Sequence, residues 1–151
     1  MFRKLKSTFQ KLGRDIVKKI TSKEDSSTAA VVTIVDKEGK VLILRRGMTA
    51  EWQPGKWSLP GGLVHTDELL IDGAQREIYE ETSIWLPNLK FCFKKDKVYF
   101  YVSRLPLSRR SYKNIKLDFE NDEYDWVLPE ELDLYDTTPD CKNNILKCLL
   151  S

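Results

Sequence analysis

Apolar residues cluster in four short segments of the chain that predict β-strands. Ala29–Val35 is a β-rich apolar run, residues 36–39 have turn composition, and residues 40–46 return as the second strand of a hairpin. Residues 91–93 and 97–105 are rich in aromatic and β-branched side chains and predict a second pair of strands. The pattern therefore predicts at least two strand pairs within one domain.

A helical period replaces this pattern in residues 62–84, where the apolar side chains that share one face are Ile71, Ala74 and Ile78. Thr66 or Asp67 is the predicted N-cap of this helix. Residues 138–150 predict a second helix, capped by Thr138 or Asp140. The side chains predicted to pack it against the domain are Ile145, Leu146, Leu149 and Leu150. Strands and helices in this mixture indicate an α/β fold.

Glutamates concentrate on the first of these helices. Glu77 and Glu81 are four residues apart, Glu80 lies between them, and Arg76 is the cation beside them. Like charges at these spacings repel each other by a few tenths of a kcal/mol per pair. A solvated acidic face is one interpretation of such a cluster. The other is a site for a hard divalent cation, which prefers carboxylate oxygens as ligands.

Spacing decides between the two interpretations. The pattern Gly62-x5-Glu68-x7-Arg76-Glu77-Ile78-x-Glu80-Glu81-x-Ser83-Ile84 resembles the box of the Nudix hydrolases. Ser83 departs from it, because the family usually has a glycine there. A glycine at that point ends a helix in the left-handed conformation, and a serine should cost about 1 kcal/mol.

The resemblance implies a Nudix fold, in which a mixed β-sheet is sandwiched between α-helices. It also implies a Mg²⁺-dependent hydrolase, with Mn²⁺ able to replace Mg²⁺. The enzyme would cleave a pyrophosphate linkage in a nucleoside diphosphate joined to another group X, such as a nucleotide, a nucleotide sugar, a dinucleoside polyphosphate or an RNA 5′ end. Two alternatives are a catalytically silent Nudix-fold nucleotide sensor and an RNA or membrane adaptor. Group X and the oligomeric state stay open.

The resemblance also assigns site residues. The metal ligands that it implies are the Gly61 carbonyl, Glu77, Glu80, Glu81 and Glu120. Arg76 would orient Glu77, and Glu68 would support the site from behind. Either Glu77 or Glu120 would act as the catalytic base, and Asp122 and Glu123 are rivals of Glu120, which lies six residues before Trp126.

Four residues are candidates for substrate contact. One of Arg45 and Arg46 should point into the cleft, since neighbouring strand residues face opposite ways, but the pattern does not say which. Trp52 could stack on a base, although a large aromatic residue in a small domain is usually part of the core. Tyr101 resembles a tyrosine that stacks on adenine in some diadenosine-polyphosphate hydrolases of the family. In a strand with three consecutive aromatic residues, such a match also arises by chance.

The chain begins with a basic segment. Residues 1–23 hold eight Lys or Arg and one Asp, a balance of +7, so the remaining residues carry −5 of the total charge of +2. Its apolar residues recur every three or four positions and predict a basic amphipathic helix: Phe2, Leu5, Phe9, Leu12 and Ile16. Such a helix could pack on the domain or a partner subunit, lie on a membrane surface or nucleic acid, or act as an organelle-targeting presequence. Residues 1–27 are thus the predicted helix and linker, and residues 28–151 the predicted Nudix domain.

Composition agrees with one globular domain. The 151 residues are 41% hydrophobic and 32% charged, and no apolar run approaches the length of a membrane span. Three cysteines, Cys92, Cys141 and Cys148, are odd in number and include no CxxC pair. They predict reduced thiols rather than a disulfide framework or a zinc site, and hence a cytoplasmic protein, with peripheral membrane association as an alternative.

Overall fold

The structure is a computed structural model that describes residues 28–86 and 88–151. The predicted basic helix and linker of residues 1–27 lie outside the described residues. Within residues 28–86 and 88–151, no helix combines the length and the apolar character that crossing a membrane requires.

Seven strands of the described residues form one mixed sheet. They are β1 (Ala29–Val35), β2 (Val41–Arg46), β3 (Trp57–Ser58), β4 (Gly61–Leu63), β5 (Lys90–Lys95), β6 (Val98–Arg104) and β7 (Asn121–Val127). The order is β3-β2-β1-β6-β5, while β4 pairs with β1 and β7 with β2. β1 and β6 run parallel over seven residue pairs, and the other pairs are antiparallel. The predicted strand pairs are therefore present, with ends shifted by at most two residues.

Two helices cover the two faces of the sheet. Helix α1 (Leu70–Thr82) packs over the even-numbered residues of β1, including Val32 and Ile34, and helix α2 (Cys141–Leu149) packs over the opposite face. Alternation along each strand separates these two cores, because successive side chains point to opposite faces. The predicted sandwich of a mixed sheet between helices is confirmed.

Helix α1 ends where the prediction places its end, but its start is not capped as predicted. Leu69 occupies the N-cap position and no side chain caps the helix, so the predicted Thr66 or Asp67 cap is wrong. Ser83 ends the helix with φ 64° and ψ 15°, and its N–H donates to the Tyr79 carbonyl. A serine thus adopts the left-handed conformation that usually belongs to glycine.

Some predicted packing residues are exposed. Ile71 on α1 is 39% exposed, and on α2 Leu146 and Leu150 are 37% and 88% exposed. The second helix begins at Cys141 and ends at Leu149, so Leu150 lies past its end. The predictions for Ile145 and Leu149 are confirmed, since Ile145 is buried and Leu149 is partly buried, and Cys141 and Cys148 complete the buried face of α2.

Two short 3₁₀ helices complete the described chain, Arg109–Ser111 and Pro129–Leu134. The second directly follows β7. The first is attached to the turn after β1, because the Arg109 N–H donates to Asp36 Oδ2 at 2.7 Å.

Candidate active site

Helix α1 brings two of its glutamates into the protein interior. Glu77 is 2% exposed and Glu81 is 4% exposed, and the Glu80 side chain is 8% exposed. Ala74 and Ile78 are buried on the same helix, so its buried surface is wider than the predicted apolar face. Carboxylates are seldom buried this deeply without a compensating partner.

Arg76 is that partner for three glutamates. It forms a two-point contact with Glu68, from Nη2 to Oε1 at 2.6 Å and from Nε to Oε2 at 3.1 Å. Its Nη1 lies 3.0 Å from Glu77 Oε1 and 3.4 Å from Glu80 Oε2. Burial alone would lower the pKa of Arg76, but these carboxylates raise it above its ordinary value. The geometry therefore agrees with the implied roles, in which Arg76 orients Glu77 and Glu68 supports Arg76.

Glu68 also explains why the predicted N-cap fails. Its Oε1 accepts a hydrogen bond from the His65 N–H at 2.8 Å, which closes the turn before α1. Burial would raise the pKa of Glu68, but the hydrogen bonds from Arg76 and His65 lower it overall. The carboxylate that stabilises this turn is thus also the one that binds Arg76.

Glu81 lies in an unfavourable electrostatic environment. Burial raises its pKa well above the usual range, and the charges of Glu77, Asp118 and Glu120 raise it further. Gly61 N–H donates to Glu81 Oε1 at 2.9 Å, and Asn121 Nδ2 donates to Oε2 at 2.7 Å. The fold therefore holds a carboxylate among like charges.

Two glycines of β4 allow this close approach. A Cβ at Gly62 would lie 2.5 Å from Glu77 Oε2, so any side chain there would displace the carboxylate. Gly61 has φ 150°, and a Cβ on it would lie 2.3 Å from the Ala30 carbonyl oxygen. Both positions require glycine for lack of space, which accounts for the Gly-rich corner before the helix.

A cavity of about 790 Å³ lies beside this corner. The sheet contributes Val31, Phe100 and the β4 backbone, and the start of α2 contributes Asn144. Arg46, Glu51, Trp52 and Glu120 line its walls as well. Its size is in the range of small-molecule sites. Glu77 and Glu81 do not line the cavity, but they contact the glycines that form its wall.

The structure distinguishes the two candidate arginines. Arg45 faces away from the cavity and pairs with Asp122 at 2.8 Å and Glu123 at 2.9 Å. Arg46 lines the cavity, where its Nε donates to the Trp52 carbonyl at 2.6 Å. The register of β2 against β7 shifts between these two arginines, so simple alternation could not assign them.

Of the two aromatic residues predicted to contact substrate, Trp52 lies at the cavity and Tyr101 does not. Trp52 is 53% exposed and lines the cavity, with the Arg46 guanidinium 5.3 Å from its ring centre. Tyr101 is 6% exposed, lies in the core beneath α1 and packs edge-on against Phe91. The structure therefore does not bring Tyr101 to the cavity, because its position on β6 points it to the other face of the sheet, and a stacking role for it has no support.

Of Glu120 and its rivals Asp122 and Glu123, the structure brings Glu120 to the cavity. It lines the wall, and its charge acts on Glu81. Asp122 and Glu123 are instead paired with Arg45 on the outside.

The chemistry of the donor atoms shows whether this site suits a metal ion. Carboxylates are the oxygen ligands that a divalent cation prefers, and Glu81 is held among three other acidic side chains whose repulsion a cation would relieve. The chemistry of the donor set therefore fits. As placed, however, no three His, Cys, Asp or Glu side chains among residues 28–86 and 88–151 are grouped closely enough to hold a metal ion together. Glu77 and Glu80 contact Arg76 through one oxygen each, so a bound ion would have to draw the carboxylates closer together while these contacts persist.

Sequence reasoning missed three residues of this site. Asn121 bonds Glu81, Asp118 acts on its charge, and Asn144 lines the cavity. Asn121 lies one residue after the predicted Glu120 and Asp118 lies two residues before it, and this proximity was the signal that could have identified them. Asn144 gave no signal, because a polar residue on a surface helix is ordinary.

Two known proteins resemble a part of this chain. The m7GpppN-mRNA hydrolase NUDT17 of Bos taurus is 40% identical over 60 residues, which are 40% of this chain and 20% of that protein. The RNA pyrophosphohydrolase of Bartonella tribocorum is 40% identical over 57 residues, 35% of this chain and 33% of that protein. The matched segment thus spans only a fifth to a third of these relatives' length.

Fold and family comparisons cover far more of the chain. The crystal structure of a MutT protein from Methanosarcina mazei Go1 has a TM-score of 0.65 and 28% identity, and covers 82% of this chain and 93% of that one. The profile of the NUDIX domain matches residues 25–147. Because this match includes the box, all seven strands and most of both helices, the chain belongs to the NUDIX family.

Proposed function

We propose that this protein is a Mg²⁺-dependent hydrolase that cleaves the pyrophosphate linkage of a nucleoside diphosphate joined to a group X. The observation that carries the proposal is the pair of buried glutamates, Glu77 and Glu81, held against a cavity wall of glycine backbone. Such burial of repelling carboxylates is unfavourable for stability, and a cationic ligand gives it a chemical reason.

The residues that would hold Mg²⁺, or Mn²⁺ in its place, are the Gly61 carbonyl, Glu77, Glu80, Glu81 and Glu120. Bound there, the ion would neutralise phosphate charge and lower the pKa of a water molecule that attacks phosphorus. Arg76 keeps Glu77 and Glu80 oriented through charge-assisted hydrogen bonds.

Glu120 is the better placed of the two candidate bases. It lines the cavity, whereas Glu77 is almost completely buried and engaged by Arg76. A base must reach the proton of the attacking water from within the substrate-binding space. We therefore assign proton removal to Glu120 and an orienting and ligating role to Glu77.

Arg46 and Trp52 are the proposed substrate contacts. The half-exposed Trp52 ring offers a face for a nucleobase, and Arg46 provides positive charge for a phosphate at the same wall. Arg45 has no such role in this proposal, because Asp122 and Glu123 occupy its guanidinium.

The names of two relatives, an m7GpppN-mRNA hydrolase and an RNA pyrophosphohydrolase, support RNA 5′ ends as candidate substrates. Nucleoside triphosphates, nucleotide sugars and dinucleoside polyphosphates complete the panel. The test is release of phosphate, pyrophosphate or nucleotide from each panel member with Mg²⁺, using Glu81→Gln as the blank. Cleavage of at least one member by the wild type alone supports the proposal, and no cleavage of any member overturns it.

A second candidate function is a nucleotide sensor that does not cleave its ligand. The observation that favours it is the contact of Glu77 and Glu80 with Arg76, together with the lack of a ready three-carboxylate cluster among the described residues. A sensor would bind a panel nucleotide in calorimetry and leave it intact after prolonged incubation with Mg²⁺.

A further inference from the structure

Asn121 is a buried side chain directly behind the box glutamates. It is the first residue of β7 and is 7% exposed. Its Nδ2 donates to Glu81 Oε2 at 2.7 Å, across a sequence separation of 40 residues. Because a buried polar group without a partner is costly, this hydrogen bond satisfies both the buried amide and the carboxylate.

Glu81 is thereby held at both oxygens by donors from two different elements. The Gly61 N–H of β4 reaches Oε1 at 2.9 Å, while Asn121 of β7 reaches Oε2. A carboxylate offers about four acceptor positions, so roughly two remain for another ligand. The two contacts together fix the plane of the carboxylate and the direction in which its remaining lone pairs point.

The fold contains a specific device that places Asn121 there. Arg45 pairs with Glu123, but its neighbour Arg46 pairs with Asn121, so the ladder between β2 and β7 has an irregularity at this point. Gly47 follows the irregularity, and its N–H donates to the Glu120 carbonyl at 2.9 Å. Such bulges re-aim side chains next to functional sites. Here Asn121 is buried against Glu81 while Asp122 is outside with Arg45.

We propose that Asn121 is a positioning residue, which holds Glu81 in the orientation that metal binding requires. This inference rests on the proposed function, because it assumes that Glu81 is a ligand. Asn121 itself contacts neither the metal nor the substrate in this account. Partners of this kind, which orient a ligand, typically change metal affinity by about 10- to 100-fold when they are replaced.

The test replaces Asn121 by leucine, which has nearly the same shape and no hydrogen-bond donor. Mn²⁺ affinity of the full chain is measured by electron paramagnetic resonance of free Mn²⁺, without substrate. Asn121→Leu should weaken Mn²⁺ binding by about 10-fold or more. Tyr135→Phe is the matched control. It removes a hydrogen bond to Asp125, which lies on β7 like Asn121, and that bond does not involve Glu81. Its Mn²⁺ affinity should stay within about twofold of the wild type.

A double-mutant cycle separates positioning from general destabilisation. In the Glu81→Gln background, Asn121→Leu should produce no further loss of Mn²⁺ affinity, because its effect acts through Glu81. Asn121→Ala, measured in the same way, keeps the test decisive if the leucine variant does not fold. Wild-type Mn²⁺ affinity in either folded Asn121 variant, or equal losses in both backgrounds, overturns the inference. If the wild type binds no Mn²⁺ at all, or Glu81→Gln binds it equally well, the ligand set of the proposed function has failed instead.

Discussion

Replacing Glu81 by glutamine should make the protein more stable and less active at the same time. The substitution keeps the size of the side chain and removes a buried negative charge. The introduced amide can still accept from the Gly61 N–H, and it can donate to the Asn121 oxygen after the Asn121 side chain flips. The hydrogen bonds at 2.9 Å and 2.7 Å therefore have replacements, while the repulsion from Glu77, Asp118 and Glu120 is lost.

The size of the stabilisation follows from that repulsion. At an effective dielectric constant of about 20, a like charge about 4 Å away costs about 4 kcal/mol, and one roughly 15 Å away costs about 1 kcal/mol. Because Glu81 can relieve this repulsion by taking up a proton, at about 1.4 kcal/mol per pH unit above the ordinary carboxyl pKa, we expect a gain of about 1 to 3 kcal/mol in the free energy of unfolding at neutral pH. For a chain of this size, the corresponding rise in Tm is about 2 to 4 °C per kcal/mol.

The assay is thermal unfolding in EDTA, followed at several pH values. Because the folded-state pKa of Glu81 is raised, the penalty for its ionisation is complete above that pKa, shrinks as the pH falls below it and is gone below the ordinary carboxyl pKa. The Tm difference between Glu81→Gln and the wild type should therefore be largest at neutral to alkaline pH and shrink on acidification. Glu130→Gln, an exposed change of the same charge, should shift stability by less than about 0.5 kcal/mol.

Turnover with Mg²⁺ should fall by at least about 100-fold in Glu81→Gln, since even an indirect partner of a metal ligand changes affinity by 10- to 100-fold. A lower Tm for this variant in EDTA would refute the electrostatic reasoning. Near-normal turnover would remove Glu81 from the ligand set, whatever the result for stability.

Three further predictions concern other parts of the chain. Ser83→Gly should raise the free energy of unfolding by about 1 kcal/mol in chemical denaturation, because Ser83 has φ 64°; no gain would show that its contacts compensate for the strain. Arg46→Ala should raise KM by about 10-fold, which is the effect of losing one charge-assisted contact of roughly 1.4 kcal/mol. Arg45→Ala should leave KM within about twofold of the wild type. The reverse order in steady-state kinetics would contradict the assignment of the cavity. Deletion of residues 1–27 should leave a soluble domain with the same turnover, and an insoluble product would show that this segment belongs to the core.

Local patterns predicted much of the fold. Alternation along β1 and β2 separates the two cores, and the box spacing identified α1 and its left-handed end at Ser83. The N-cap was wrong because Glu68, not a Thr or Asp, stabilises the turn before the helix by accepting from His65. A carboxylate already bound to Arg76 is a tertiary feature that local propensity does not include.

Long-range features account for the remaining differences. The irregularity between Arg45 and Arg46 decides which arginine reaches the cavity, and it is a property of the pairing of β2 with β7 rather than of either strand. Tyr101 matched a family position in sequence, but the direction of β6 buries it beneath α1. Asn121 was invisible because its role exists only where β7 meets α1, 40 residues earlier in the chain.

Substrate cleavage by this protein should depend on a divalent cation. The wild-type protein is incubated with the panel substrate that it cleaves fastest, first with Mg²⁺ and then with excess EDTA, and the released product is quantified. EDTA should lower product release to the level of the Glu81→Gln blank, and added Mg²⁺ or Mn²⁺ should restore it. Release that continues unchanged in EDTA would contradict the metal-dependent mechanism and the ligand role of the α1 glutamates.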